Sequence, residues 1–214
     1  MISSLKNIID CSITLKHSQN LIEFIENEQD ALLKKVIFKL SAFLRGTGGQ
    51  LTNAVIIEGD NKSLPLFGQF SFYLDKKCSD VTKQCDYIVF HQKDDTLRVI
   101  LCELKSSDTS GEIQSRIHNQ FKFSRCFGEY LVSVAEEYCR VSNKLHSCSN
   151  VTYHNVAFVR IPNVAMAAPL GMAPGSAPVN TLRSSVQNNI KSLFVHTDRN
   201  GHASLNWQEF MVNV

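Results

Sequence analysis

The chain of 214 residues fits a single domain spanning 1–214 and is long enough to bury a core without disulfide or metal staples. Its 43% hydrophobic and 20% charged residues are ordinary for a soluble globular protein. The net charge of +2 excludes a strong basic field, so a nucleic-acid partner would have to be met by a local basic patch.

The cysteines and the first residues indicate the compartment. The seven cysteines are an odd number without a CxxC pair, which favours free thiols in a reducing cytoplasm over zinc or a disulfide framework. Residues 1–19 lack the apolar run of a signal peptide, and no apolar segment approaches membrane-spanning length. We therefore expect a cytoplasmic protein with no membrane association.

The first half of the chain reads as one helix followed by short strands. Residues 19–45 carry apolar side chains at the spacing of an amphipathic helix, which could break near Asn27–Asp30 and ends before the glycines of 46–49. Short apolar runs predict strands at Ala54–Glu58 and Phe70–Leu74.

A hairpin and a second helix follow. Two β-branched apolar runs, Cys85–His91 and Leu97–Leu104, are joined by a polar turn and predict paired antiparallel strands. Helical periodicity returns from Glu112 to Asn143, and Asn155–Ile161 reads as a further strand that ends at Pro162.

The last quarter of the chain begins with a segment that cannot sustain a regular element. Residues 162–180 contain four of the five prolines and many Ala and Gly residues, which predicts a flexible loop that serves as a lid, as a docking segment or simply as disorder. Asn200-Gly201 between two alternating runs predicts a C-terminal β-hairpin over 190–212. The order of elements indicates an α/β or α+β sandwich rather than regular βαβ winding.

The strongest candidate for chemistry lies at the outer ends of the central hairpin. Because side chains alternate along a strand, Glu103 and Lys105 face the same way. Asp86 starts the partner strand at nearly the same distance from the turn at Asp94-Asp95, so the two carboxylates are expected to meet at the edge of the sheet away from that turn. The alternative without chemistry is that Glu103 and Lys105 form an ion pair on the surface and that Asp86 is simply an acid at the start of a strand.

Carboxylate oxygens at that edge, with the Leu104 carbonyl, suit Mg²⁺ or Mn²⁺, and Lys105 could orient or deprotonate a water molecule. Two other candidates are weaker. Cys102 as a nucleophile is better explained as a packed thiol, and the glycines of 46–49 lack the Lys-Ser/Thr of a phosphate loop.

Asp86 together with Glu103-Leu104-Lys105 resembles the PD-(D/E)XK nuclease superfamily, although Cys85 stands where many members have a proline. The resemblance covers roughly 20–161, and its specific part is 86–120. It implies a restriction-endonuclease-like core, with a mixed central sheet over 54–161 flanked by helices. It also implies a magnesium- or manganese-dependent nuclease that hydrolyses phosphodiester bonds; DNA is favoured as the substrate, and RNA stays open.

Further site residues follow from the resemblance alone. It implies a Gln that reaches back from the helix after the sheet, for which Gln120 is a better candidate than Gln114, and an acid on the first helix, Glu23 or Glu26. Basic residues near the site are candidates for phosphate contacts, although each by itself is more simply a solvated side chain: Lys76, Lys77, Lys83, Arg116, Lys122 and Arg125.

At the level of the family, the resemblance suggests an effector of a prokaryotic anti-phage or restriction system. Because the chain shows no sequence-reading module such as a zinc finger, its specificity would come from a protein partner or a second copy of the chain, or from nucleic-acid shape. Two alternatives stay open. One is a non-catalytic subunit that keeps the nuclease fold to bind nucleic acid or protein. The other is an interaction protein that docks through 162–180.

Overall fold

The computed structural model describes residues 1–26, 29–59, 84–106, 111–142, 148–161, 183–187 and 189–214, with only the backbone described at 47, 111–116, 183 and 187. Within these residues the chain forms an α/β fold with three α-helices and two sheets. In chain order the elements are α1 (Ile2–Ile8), β1 (Leu21–Ile25), β2 (Lys35–Lys39), β3 (Ala54–Glu58), β4 (Tyr87–Lys93), β5 (Thr96–Lys105), α2 (Gly111–Val141), β6 (Asn150–Ile161), β7 (Arg183–Gln187), β8 (Ile190–His196), β9 (His202–Asn206) and α3 (Trp207–Asn213).

The larger sheet is mixed and has six strands in the order β3-β4-β5-β6-β8-β7. The β5–β6 and β6–β8 pairs are parallel, and the other pairs in this sheet are antiparallel. Its central strand β5 is buried without interruption from Val99 to Leu104. Such a continuous buried run, apolar except for Glu103, is typical of a strand that is covered on both faces.

Different layers cover the two faces of the larger sheet. Helices α1 and α2 pack on one face, with Leu5, Phe121 and Ala135 in the shared core. The three-stranded sheet β1-β2-β9 and α3 cover the other face. In that second core the ring centroid of Phe210 lies 5.1 Å from that of Phe38 and 5.5 Å from that of Phe158. The central sheet is therefore sandwiched between helices and a smaller sheet.

The predicted helix over 19–45 is wrong. The segment forms β1 and β2, which pair antiparallel, followed by a short 3-10 turn at Ala42–Leu44. Each strand buries alternate residues, with Ile22 and Phe24 turned towards the core of the molecule in β1. The large sheet offers a flat apolar face, and a strand with alternating apolar residues covers such a face better than the predicted helix.

The predicted C-terminal hairpin over 190–212 is also wrong, although its turn exists. Asp198 closes the turn, because its Oδ1 accepts hydrogen bonds from the N–H groups of Asn200 (2.8 Å) and His202 (2.9 Å). The strands on either side do not pair with each other. β8 lies in the large sheet, whereas β9 runs parallel to β2 in the small one. The end of the predicted hairpin is helix α3, capped by the side chain of Asn206.

Other predicted elements are confirmed. Strand β3 has the predicted bounds, β4 and β5 pair as the predicted hairpin, and α2 covers the predicted helix almost to its end. Strand β6 begins earlier than predicted, at Asn150. The predicted strand at 70–74 and the loop at 162–180 lie outside the described residues. In the described part of the chain, no helix combines the length and the apolar character needed to cross a membrane.

The backbone at Gly59, directly after β3, lies tightly against the backbone that leads into β4. The N–H of Gly59 donates to the carbonyl oxygen of Asp86 (2.7 Å), and a Cβ at this position would overlap the carbonyl oxygen of Cys85. We expect Gly59→Ala to lower the free energy of unfolding by about 2–3 kcal/mol, because the backbone of β3 and β4 must separate. Urea unfolding monitored by circular dichroism measures this loss.

Gly48→Ala is the control for that substitution. A Cβ at Gly48 would meet no atom within 4 Å, but φ at Gly48 is +65°, so only the left-handed backbone is penalised. The expected loss is about 1 kcal/mol. Equal losses in the two variants would show that the contact at Gly59 is not tight.

Candidate active site

The predicted meeting of carboxylates occurs where β4 begins and β5 ends. Tyr87 is paired with Cys102, so Asp86, one residue before Tyr87, lies opposite Glu103. We call this end of the sheet, formed by 84–86 and 103–106, the carboxylate edge. The turn that contains Asp94 and Asp95 joins the same strands at their other ends, as predicted.

Each carboxylate at this edge is tied to the backbone of the other strand. The N–H of Leu104 donates to Asp86 Oδ2 (2.6 Å), and the N–H of Asp86 donates to Glu103 Oε2 (3.1 Å). The two hydrogen bonds cross between β4 and β5, so neither side chain can move without breaking a contact to the partner strand. The carboxylates are therefore preorganised by the sheet itself.

Lys105 supplies the cation of the site. Its Nζ lies 2.6 Å from Glu103 Oε1, and the side chains are 24% and 2% exposed, respectively. A surface ion pair has both partners in water and stabilises little. Because Glu103 is buried, the alternative of a surface ion pair does not describe this site.

Burial and mutual repulsion dominate the electrostatics of the site. Burial raises the pKa of Asp86 well above its ordinary value, and the charge of Glu103 adds to this, while the N–H of Leu104 works in the opposite direction. Burial also raises the pKa of Glu103, against the lowering effect of Lys105. Burial works to lower the pKa of Lys105, but the surrounding carboxylates outweigh it and raise that pKa. With both carboxylates ionised, the site would carry more negative charge than the one ammonium group of Lys105 balances, and this adds to burial in making both carboxyl groups resist ionisation.

Glu26 is the acid that the fold brings towards this edge. Its charge raises the pKa values of Asp86 and Glu103. Glu23, the other candidate, instead forms an ion pair with Lys35 (2.9 Å). Glu26 follows strand β1 directly, so it reaches the site from the end of a strand and not from the predicted helix.

Gln120 contacts the chain just before Asp86. Its Nε2 donates to the carbonyl oxygen of Gln84 (3.3 Å), so α2 does reach back to the carboxylate edge. The same stretch is held by Ser124, whose Oγ accepts from the N–H of Cys85 (2.7 Å) and which is fully buried. Sequence reasoning missed Ser124, although a serine spaced three residues from Phe121 and Phe127 on the apolar side of a helix is a usable signal.

Two further residues that sequence reasoning missed tie the smaller sheet to the carboxylate edge. The hydroxyl of Tyr87 accepts from the N–H of Ile25 (2.6 Å) and donates to the carbonyl oxygen of Ile25 (3.1 Å). Ser106 Oγ accepts from the N–H groups of Leu32 (2.7 Å) and Leu33 (3.2 Å). No local sequence pattern indicates these contacts, because they join segments that are distant in the sequence and that only the fold brings together.

The structure describes the side chains of only some of the basic residues that were predicted to contact phosphates. Lys122 is exposed on α2. Arg125 binds Glu129 (2.8 Å), and its guanidinium lies 4.6 Å from the ring centroid of Tyr153. Only the backbone of Arg116 is described, and Lys76, Lys77 and Lys83 lie outside the described residues. These contacts stay predictions.

The thiols of Cys85, at the carboxylate edge, and of Cys102, next to it, are unreactive. Cys85 and Cys102 are fully buried, and burial raises the pKa of both thiols. A nucleophilic cysteine needs an accessible thiolate. Both residues therefore act as packing groups, as the sequence favoured for Cys102.

The donor atoms at the carboxylate edge fit a hard divalent cation. Asp86 and Glu103 contribute oxygens, and the carbonyl of Leu104 lies on the same side of β5 as its N–H, which faces Asp86. Among the described residues, no group of three or more His, Cys, Asp and Glu side chains is placed to hold a metal. Mg²⁺ commonly binds through one or two carboxylates and retains several waters, so the two carboxylates suffice for this ion.

Comparisons with known proteins found no match: no protein-family model, curated protein or solved structure matches the chain. The candidate site is therefore argued from its own geometry.

The raised pKa of Asp86 predicts a gain in stability when its charge is removed. The unfolded chain titrates near the ordinary value of 3.8, whereas the folded protein keeps the proton to higher pH. Wild-type stability is thus lost as the pH rises from the lower to the higher pKa. In EDTA at neutral pH, we expect Asp86→Asn to be more stable by on the order of 1 kcal/mol, since its amide oxygen still accepts from Leu104.

Urea unfolding between acid and neutral pH measures this difference in stability. The difference should vanish below about pH 4, where the Asp86 side chain is uncharged in both the folded and the unfolded protein. Asp95→Asn makes the same chemical change in the exposed turn of the hairpin and should leave stability unaltered. A less stable Asp86→Asn variant at neutral pH in EDTA would contradict the electrostatic description of the site.

Proposed function

We propose that this protein is a divalent-metal-dependent nuclease that hydrolyses phosphodiester bonds at the carboxylate edge. The observation that carries the proposal is the crossed pair of hydrogen bonds that locks Asp86 and Glu103 across two strands, with the Lys105 ammonium against Glu103. A buried carboxylate, Glu103, and a half-buried one, Asp86, that repel each other are costly to the fold, and such arrangements concentrate at functional sites.

Each group at the edge has a task in this reaction. Asp86, Glu103 and the Leu104 carbonyl provide the oxygen ligands. A bound Mg²⁺ or Mn²⁺ would supply Lewis acidity towards the phosphate. It would also lower the pKa of a water bound to it, so that a nucleophile is available at neutral pH. Lys105 donates hydrogen bonds that orient the attacking water and offsets negative charge on the phosphate. Gln120 holds the segment that carries Asp86, through Gln84.

The choice of a phosphodiester substrate rests on the resemblance of Asp86 and 103–105 to the PD-(D/E)XK nuclease pattern. Local chemistry agrees with a polyanionic substrate only when a divalent cation is bound, because the carboxylates by themselves would repel phosphate. We therefore propose DNA as the substrate and the divalent cation as a requirement for productive binding.

The test is a cleavage assay with plasmid, linear duplex and single-stranded DNA, and with RNA, in Mg²⁺, Mn²⁺ or EDTA. We expect cleavage of DNA that EDTA abolishes. Asp86→Asn, Glu103→Gln and Lys105→Met should each lower the rate by at least about 100-fold, because each removes a group that acts on the reacting phosphate or its metal.

Lys35→Met is the matched control for Lys105→Met. Lys35 forms a strand-to-strand ion pair with Glu23 in the smaller sheet, so the substitution removes the same kind of contact elsewhere. We expect its cleavage rate to equal that of the wild type. Cleavage that persists in EDTA, or in Lys105→Met, would overturn the mechanism, and binding of DNA without any cleavage would favour a non-catalytic subunit.

A further inference from the structure

We propose that Tyr87 is a positioning residue that sets the affinity of the carboxylate edge for divalent cations, by holding the end of β1 and with it the Glu26 carboxylate. The inference rests on the proposed function, because it takes Asp86 and Glu103 as cation ligands. It assigns to a contact between the two sheets a role in the chemistry of the site.

Tyr87 is itself firmly placed. It is 1% exposed, it follows Asp86 directly, and its ring stacks on Phe24 with a centroid distance of 4.1 Å and an interplanar angle of 9°. Its side chain lies on the face of the large sheet that meets the smaller sheet. The hydroxyl therefore projects from a rigid base towards strand β1.

The hydroxyl uses both of its hydrogen-bonding functions on one residue. It accepts from the N–H of Ile25 and donates to the carbonyl oxygen of Ile25. The next residue, Glu26, donates its N–H to the carbonyl oxygen of Lys34 (2.9 Å). The backbone of Glu26 is thus fixed from one side by Tyr87 and from the other by the start of β2.

Glu26 directly follows the Ile25 backbone that Tyr87 holds, and its charge acts on Asp86, Glu103 and Lys105. It opposes the ionisation of Asp86 and Glu103, and it favours the protonated form of Lys105. In the described part of the chain, no three His, Cys, Asp or Glu side chains form a group that could hold a metal, and the role proposed for Glu26 is that of a charge outside the ligands. Such a charge attracts a divalent cation, and its effect weakens with distance, so its position matters.

A second contact supports the same turn. Ser106, which follows Lys105, accepts from the N–H groups of Leu32 and Leu33. The segment between β1 and β2 is therefore held at both ends by chain neighbours of site residues. Ser106 offers an independent way to loosen the turn without touching the aromatic core.

The experiment measures Mn²⁺ affinity by titration calorimetry, with no substrate, on the full chain. We expect Tyr87→Phe and Glu26→Gln each to weaken binding by about 10-fold, the usual scale for groups that orient a metal site from outside it. Because Tyr87 acts through Glu26, the double variant should bind no more than about 2-fold more weakly than Glu26→Gln alone. Losses that simply add would overturn the proposal.

Tyr153→Phe is the matched control. It removes a hydroxyl from another tyrosine of the same sheet, whose ring lies under Arg125 on the opposite side from β1, and it should leave Mn²⁺ affinity unchanged. If Tyr87→Phe proves poorly folded by near-ultraviolet circular dichroism, Ser106→Ala takes its place, with the same expected loss and the same lack of additivity with Glu26→Gln.

The outcomes separate this inference from the proposed function. If Asp86→Asn abolishes Mn²⁺ binding while Tyr87→Phe binds like the wild type, the inference alone fails. If the wild type does not bind Mn²⁺, or Asp86→Asn binds it equally well, the metal site itself is wrong and both fail.

Discussion

The pairing of β4 with β5 is the constraint on which the candidate site depends. With Tyr87 opposite Cys102, Asp86 and Glu103 become cross-strand neighbours, and each carboxylate reaches a backbone N–H of the other strand. A shift of one residue would turn one of these side chains to the opposite face and break both hydrogen bonds. The apolar residues of the two strands enforce the register, since both faces of the sheet are buried.

This edge is also where three layers of the fold meet. Helix α2 contributes Gln120 and Ser124, which hold the backbone before Asp86, and the smaller sheet contributes Glu26 through the contact of Tyr87 with Ile25. The carboxylates are costly to bury, and Lys105 balances only part of their charge. The surrounding packing therefore stabilises an arrangement that is unfavourable by itself, and the divalent cation that we propose would relieve the repulsion.

The local patterns of the chain were sufficient for the central hairpin, for α2 and for the meeting of Asp86 with Glu103. All three follow from periodicity and from equal distances to a turn, which depend on near neighbours in sequence. The segment 19–45 was misread because its apolar residues satisfy both periods: Leu21, Ile22 and Ile25 fit a helix, whereas Ile22 and Phe24 fit a strand. Only the flat face of the large sheet decides between them.

By itself, the sequence determined that helices and strands are mixed along the chain, the two strands that carry Asp86 and Glu103-Lys105, and the helix that follows them. Tertiary structure alone decided that the strands around the turn at Asn200-Gly201 enter different sheets, because β9 pairs with β2 from the distant first part of the chain. It also decided that Glu26, and not Glu23, approaches the site. Such choices depend on which surfaces remain to be covered once the central sheet has formed, and no local pattern records them.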